Sequence, residues 1–173
     1  MNELIVGVDA GGSKTVVIVS RDGVEAGRAT GGGAKMRSGK GIGCATTIAE
    51  VTRRALAAAG TLRANVLVAG VAGAGRELER DELRQALRGE GLAERIIVTG
   101  DTEIALAAAF EDRPGIVVTA GTGSIAVARD AYGRLHRAGG YGWQMGDEGS
   151  GYAIGRSALG AVGRAADGRS PRT

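Results

Sequence analysis

Val6-Gly7-Val8-Asp9-Ala10-Gly11-Gly12-Ser13-Lys14-Thr15 is the stretch whose reading decides the fold. The apolar run Leu4 to Val8 leads into it, and the β-branched run Val16 to Val19 leads out. The pattern is strand, tight glycine turn, strand. Gly11 and Gly12 allow a sharp bend and let a ligand come close to the backbone. The turn offers backbone N–H groups, the Ser13 and Thr15 hydroxyls and the Lys14 ammonium, a donor set suited to phosphate oxygens. Asp9 stands just ahead of it, where a carboxylate can hold Mg²⁺ through water.

Gly7 and Gly12 have the spacing of a Walker A loop, but Ser13 intervenes before Lys14. That loop also requires a helix after its lysine. Val16-Val17-Ile18-Val19 is strand sequence instead. Taken alone, the unit is equally a plain β-hairpin. A second copy favours the phosphate reading. Ile116 to Ala120, the turn Gly121-Thr122-Gly123-Ser124 and Ile125 to Ala128 repeat strand, glycine-hydroxyl turn, strand. Each copy is followed by a hairpin signal, Asp22-Gly23 in the first and Tyr132-Gly133 in the second. Gly121 to Ala126 also fits a Rossmann glycine pattern, but no helical sequence follows it. Two such hairpins in one chain suggest two like-folded units that share a nucleotide.

Composition narrows the class. The 173 residues are 43% hydrophobic, enough for one core and part of another. Glycine, at 32, is abundant but has no three-residue period, which excludes collagen. Aromatics are 3%, so the core must be aliphatic. The 22 basic and 19 acidic residues are interspersed, which argues against a nucleic-acid partner. The single cysteine, Cys44, excludes an internal disulfide and a four-cysteine metal site. Met1-Asn2-Glu3 is not a basic leader, and no apolar run approaches the ~20 residues of a membrane span. A cytoplasmic protein without a membrane partner is expected.

Along the chain, Gly27 to Gly43 reads as a glycine-rich basic loop with Lys35, Arg37 and Lys40. Thr46 to Ala59 reads as a helix, Val66 to Val71 as a buried strand, and Glu77 to Arg88 as a charged helix. Ile96 to Thr99 is a second buried strand and Thr102 to Phe110 a helix, ended at Arg113-Pro114-Gly115. The first unit is thus βββαβαβα. The second begins βββ at Ile116, continues through a glycine-rich loop, Gly139 to Gly151, and ends in a helix with Tyr152, Ile154, Leu159 and Val162. Asp101 follows the Ile96 to Thr99 strand, at the carboxyl end where open α/β sheets place ligands. It suits a proton acceptor, and equally a helix N-cap. Asp147 can bind a ligand hydroxyl or cap the helix that follows. Trp143 reads as a wedge under the loop, and the tail 167–173 as polar and frayed.

The paired turns and the block Gly140-Tyr141-Gly142-Trp143-Gln144-Met145-Gly146-Asp147-Glu148-Gly149-Ser150 resemble the N-acetylglucosamine kinase branch of the sugar kinase/Hsp70/actin superfamily. This branch is grouped with the BadF/BadG/BcrA/BcrD ATPases. The resemblance implies a ribonuclease H-like (actin-like ATPase) lobe over residues 1–114 and the incomplete start of a second like-folded lobe over 115–173, hence a truncated two-lobe chain. It implies ATP and Mg²⁺ as cofactors and a small-molecule amino sugar as substrate, and it leaves a homodimer open. By position, Asp9, Gly11, Gly12, Ser13, Lys14 and Thr15 would form the first phosphate loop, with Asp9 anchoring the metal. Gly121, Thr122, Gly123 and Ser124 would form the second. Asp101 matches the catalytic base, and Gly140, Tyr141, Gly142 and Asp147 match sugar-contacting positions. Lys35 stands where these kinases carry an asparagine that bonds the sugar, and a lysine suits an anionic amino sugar. The same fold also serves non-kinase ATPases that activate CoA-ester reductases and dehydratases, using hydrolysis as a conformational switch. Those bridge an iron–sulfur cluster, for which one cysteine is few. A non-catalytic remnant is the third expectation.

Overall fold

Alternation along the strands decides which face is covered. In the computed structural model, which describes residues 3–172, Val6, Val8 and Ala10 of β1 (Leu4–Ala10) are buried, whereas Ile5, Gly7 and Asp9 face the other way. Thr15, Val17 and Val19 of β2 (Lys14–Arg21) repeat the pattern. With side chains alternating at period two, one face of the sheet becomes core and the opposite face keeps Asp9 accessible.

The chain splits into two compact units, one ending at Ala105 and the other starting at Leu106. Unit 1 holds a five-stranded mixed sheet in the order β3-β2-β1-β4-β5. β1, β2 and β3 (Val24–Gly32) are antiparallel. β4 (Ala64–Val71) and β5 (Ala93–Gly100) run parallel to β1. The Asp22-Gly23 turn is as expected for a tight hairpin: both residues have positive φ, 51° and 84°. The helices α1 (Gly41–Ala58) and α2 (Glu77–Gly89) pack on the Val6/Val17 face. They contribute Ile48, Val51, Ala55, Leu56, Leu83 and Leu87 to the core.

The expected loop from Gly27 to Gly43 is largely regular structure. β3 continues to Gly32, and α1 begins at Gly41 rather than Thr46. The strand glycines provide clearance for α1. A Cβ on Gly27 would lie 2.4 Å from the Ala55 carbonyl oxygen, and one on Gly31 would lie 2.4 Å from Val51 Cγ2. Glycine inside a strand marks such a close approach as readily as a turn. Thr46 and Thr47 sit inside α1, their hydroxyls donating to the Ile42 and Gly43 carbonyls one turn back.

α3 (Asp101–Phe110) follows β5 directly. Unit 2 contains the antiparallel sheet β6-β7-β8, formed by β6 (Gly115–Ala120), β7 (Ser124–Arg129) and β8 (Leu135–Gly139). The helix α4 (Gly151–Ala166) follows. The β7–β8 hairpin is held by Asp130, whose carboxylate accepts from the Tyr132 and Arg134 amides, the Arg134 Nε and the His136 ring. The His136 bond and these further donors hold the Asp130 pKa down to about 2. Beyond α4, Arg169 bonds Asp167, and the last position of the polar tail, 173, lies outside the described residues.

Candidate functional site

The three parallel strands end level with one another. Ala10 pairs with Val71 and Val71 with Gly100, so the turns after β1, β4 and β5 share one edge of the sheet. This is the carboxyl edge where open α/β sheets bind ligands. Backbone bonds stitch most of it together. Gly11 N–H donates to the Lys14 carbonyl at 2.9 Å, closing the first turn. Ala34 N–H donates to the Gly11 carbonyl at 2.9 Å and Ala72 N–H to the Ala10 carbonyl at 2.8 Å. Met36 N–H donates to the Ala72 carbonyl at 2.8 Å. Contact is close enough that a Cβ on Gly33 would sit 2.1 Å from the Gly12 carbonyl oxygen. A Cβ on Gly73, whose φ is +86°, would sit 2.2 Å from the Met36 carbonyl oxygen.

These bonds fix what each candidate side chain can do. Gly12, Ser13 and Lys14 are exposed, so the hydroxyl, the ammonium and the glycine backbone open to solvent. Thr15 differs: it is fully buried and its Oγ1 donates to the Gly32 carbonyl at 2.7 Å. It frames the turn rather than lining its mouth. Lys35 is exposed between Ala34 and Met36, both buried. Segment 37–41 is tied from α2, where the Glu82 carboxylate accepts from the Gly39 amide at 3.1 Å and the Gly41 amide at 2.7 Å. Glu82 thereby caps α1, whose own N-cap residue Lys40 makes no side-chain bond. Cys44 is buried, its thiol donating to the Ala34 carbonyl, and burial pushes its pKa up to about 11.

Asp101 is half-buried at the start of α3, and its Oδ1 accepts from the Thr102 amide at 2.9 Å. Burial raises its pKa above the ordinary carboxylate value. The Thr102 N–H opposes that shift, the Asp9 carboxylate adds to it, and the Lys35 ammonium also opposes it. Asp101, Asp9 and Lys35 therefore lie within electrostatic reach of one another. A carboxylate with a raised proton affinity, next to a cation and a second acid, can accept a proton from an alcohol. Asp9 is an exposed, hard oxygen donor at the mouth of the turn. Among the described residues no group of three or more His, Cys, Asp or Glu could encage an ion. This arrangement fits Mg²⁺ held by one carboxylate, water and phosphate oxygens.

In unit 2 the second glycine turn is closed by Gly121 N–H donating to the Gly123 carbonyl at 2.9 Å. The segment before α4 is clamped onto it. Ser124 Oγ donates to the Glu148 carbonyl at 2.7 Å, and Gly151 N–H donates to the Gly121 carbonyl at 2.8 Å. Ser124 is thus already engaged, while Gly121 and Thr122 are exposed. Asp147 is buried with φ +63°. Its Oδ2 lies 2.9 Å from where a Cβ on Gly123 would be. The cap of α4 is Ser150, whose Oγ accepts from the Ala153 amide at 3.1 Å, so Asp147 is free of that task. Gly140 and Gly142 both have positive φ, 69° and 89°. Arg137 donates to the Gly139 and Gly140 carbonyls and lies over the exposed Tyr141 ring. Trp143 is half-exposed rather than wedged under the loop, its ring 5.3 Å from that of Tyr152.

The spacing argument missed Gly33, Gly73, Glu82 and Arg137. Gly33, Gly73 and Glu82 act through contacts between segments distant in the chain, whereas Arg137 acts on its own neighbours Gly139 to Tyr141.

The architecture defines the class: an α/β protein with a mixed sheet, a fold shared with a solved ROK hexokinase of Thermus thermophilus, which superposes with a TM-score of 0.58 at 20% identity, covering 97% of this chain and 70% of that one. Within that class the chain belongs to the BadF/BadG/BcrA/BcrD ATPase family, whose sequence profile it matches over residues 6–173. It is 45% identical over 104 residues to the N-acetylmuramic acid/N-acetylglucosamine kinase of Clostridium acetobutylicum, a match covering 60% of this chain and 34% of that protein. A solved Chromobacterium violaceum structure, provisionally named an N-acetylglucosamine kinase, superposes with a TM-score of 0.87 at 28% identity, covering 99% of this chain and 61% of that one. Its counterpart from Porphyromonas gingivalis superposes at 0.76 with 25% identity, covering 98% and 58%. The chain thus spans about one third of the curated relative and about three fifths of the solved ones.

Proposed function

We propose that this chain carries the phosphate-binding and proton-accepting groups of an ATP-dependent, cytoplasmic kinase that phosphorylates a hydroxyl of an amino sugar. Its lobes are residues 1–114 and the beginning of a second, like-folded lobe at 115–173. The observation that carries the reading is the trio Asp101, Asp9 and Lys35 at one sheet edge, where burial raises the Asp101 pKa above the ordinary carboxylate value. The 45% identity to a named amino-sugar kinase supports it.

The roles follow from the chemistry. Phosphoryl transfer needs positioning and charge stabilisation more than covalent work. The Gly11, Gly12, Ser13 and Lys14 turn would cradle polyphosphate oxygens, and the turn of Gly121, Thr122 and Gly123 is likewise suited to phosphate. Thr15 and Ser124 hold the two turns in shape. Bound Mg²⁺, held from Asp9, would neutralise charge on the transferring phosphoryl. Asp101 would accept the proton of the attacking hydroxyl. Gly140, Tyr141, Gly142 and Asp147 would contact the sugar. Lys35 would pair with a carboxylate on it, as on the lactyl ether of an N-acetylmuramic acid.

The test is calorimetric titration of Mg·ATP with and without sugar, followed by transfer assays on neutral and carboxylated amino sugars. Binding enhanced by sugar, with faster turnover of the carboxylated one, is expected. Lys35→Asn should reverse the preference by roughly tenfold, the worth of one exposed charge pair of about 1 kcal/mol plus the hydrogen bond gained. Hydrolysis of ATP indifferent to any sugar would replace the kinase with a switch ATPase, and an unchanged preference in Lys35→Asn would remove Lys35 from the site.

A further inference from the structure

The turns after β1 and β4 and the segment at 34–36 are joined by backbone hydrogen bonds. The turn that presents Asp101 is joined to them by side chains instead, and α2 supplies the link. Arg80 Nε donates to the Ala74 carbonyl at 2.9 Å, in the turn after β4. Its Nη2 donates to the Glu103 carboxylate, in the first turn of α3. The other oxygen of Glu103 accepts from the Thr99 hydroxyl, at the end of β5. Thr99 and Glu103 bracket Asp101. The two turns lie close together at Gly100, whose Cβ position is 3.5 Å from Glu103 Oε1 and 3.9 Å from the Ala74 carbonyl oxygen, ordinary van der Waals distances. Arg80 and Glu103 are both about three-quarters withdrawn from solvent, at 21% and 26% side-chain exposure, so the link is not a loose surface pair.

We propose that Arg80 is a positioning residue for phosphoryl transfer: through Glu103 and the Ala74 carbonyl it fixes the turn that presents Asp101 to the acceptor hydroxyl. The proposal rests on Asp101 being the base. The guanidinium fork matters, because it reaches a carbonyl and a carboxylate at once in a fixed plane; an ammonium is a point donor and holds one well at a time. Without the link, Thr99 and Glu103 lose their common anchor and the Asp101 carboxylate samples more positions. Misplacement of a reacting group by about 1 Å can cost on the order of 10²-fold in rate.

The experiment compares the parent with Arg80→Gln and Arg80→Lys in the full-length chain. Readouts are steady-state kinetics with an amino sugar and hydrogen exchange of the amides at 99–103. Arg80→Gln should lower kcat by about ten- to a hundredfold, leave KM for ATP and sugar within about twofold, and speed exchange at 99–103. Arg80→Lys should recover part of both. An unchanged kcat, or a rise in KM without a fall in kcat, overturns the proposal. Should Arg80→Gln not fold, Glu103→Gln and Thr99→Val cut the far end of the same link, and an unaltered kcat in both refutes it. If the parent phosphorylates no amino sugar, the kinase reading fails, and the positioning claim stands or falls on exchange alone. Equal protection at 99–103 in parent and Arg80→Gln would then overturn it.

Discussion

Replacing Gly33 by alanine adds one methyl group against the backbone of the first phosphate turn. The new Cβ would lie 2.1 Å from the Gly12 oxygen, 2.4 Å from the Gly12 carbon and 2.8 Å from the Ser13 nitrogen. Contacts of this kind are comfortable only at ~3.5 Å, so the turn or β3 must give by roughly 1 Å. No flexible side chain can absorb the shift, because all three atoms are backbone. Overpacking of this sort costs about 1–3 kcal/mol of stability. The same shift moves the Gly12 and Ser13 amides off the phosphate oxygens. A hydrogen bond to a charged group is worth about 1.5–3 kcal/mol, so losing one bond weakens Mg·ATP by roughly tenfold to a hundredfold. Gly32→Ala is the control, since a Cβ there meets nothing within 4 Å. Titration calorimetry with Mg·ATP and a urea melt on both variants give the two quantities. Equal affinity for Mg·ATP in Gly33→Ala and the parent would refute the assignment of the Gly11 to Lys14 turn as a phosphate cradle.

Asp101→Asn separates catalysis from stability. The folded protein holds the Asp101 proton above its ordinary value of 3.8, so stability is full below that value and declines as pH rises through the raised one. The asparagine variant, which can still accept from the Thr102 amide, should melt higher than the parent at pH 7 and level with it at pH 3. Transfer should fall by about 10²–10⁴-fold; a variant less stable than the parent at pH 7 would contradict the burial argument. Glu82→Ala leaves the Gly39 and Gly41 amides uncapped and should cost about 0.5–2 kcal/mol. Exchange at those amides should accelerate while Mg·ATP affinity stays unchanged, which amide exchange by NMR together with calorimetry can check.

Much of the site was legible along the chain because its parts are local. A β-branched run on each side of Gly11-Gly12 can only be a hairpin, and its repeat at Gly121 to Ser124 marked the second turn. Asp101 was visible from the buried strand ahead of it. The glycines at 27 and 31 misled, since abundance of glycine signals a loop unless one knows which helix lies against it. Thr15 and Ser124 were assigned to phosphate by residue type, but their hydroxyls are spent on the Gly32 and Glu148 carbonyls.

Period-two and period-3.6 patterning, which depend only on neighbours in the chain, marked the strands and helices outside the stretch 27–45, and the glycine pairs marked the two turns. Tertiary structure alone decided that Gly33 lies against Gly12, that Glu82 caps a helix some forty positions earlier, and that Arg80 joins the β4 turn to the turn of Asp101. The reason is physical. Parallel strands bring distant carboxyl ends to one edge, and only there do a guanidinium, a carboxylate and a carbonyl meet at bonding distance.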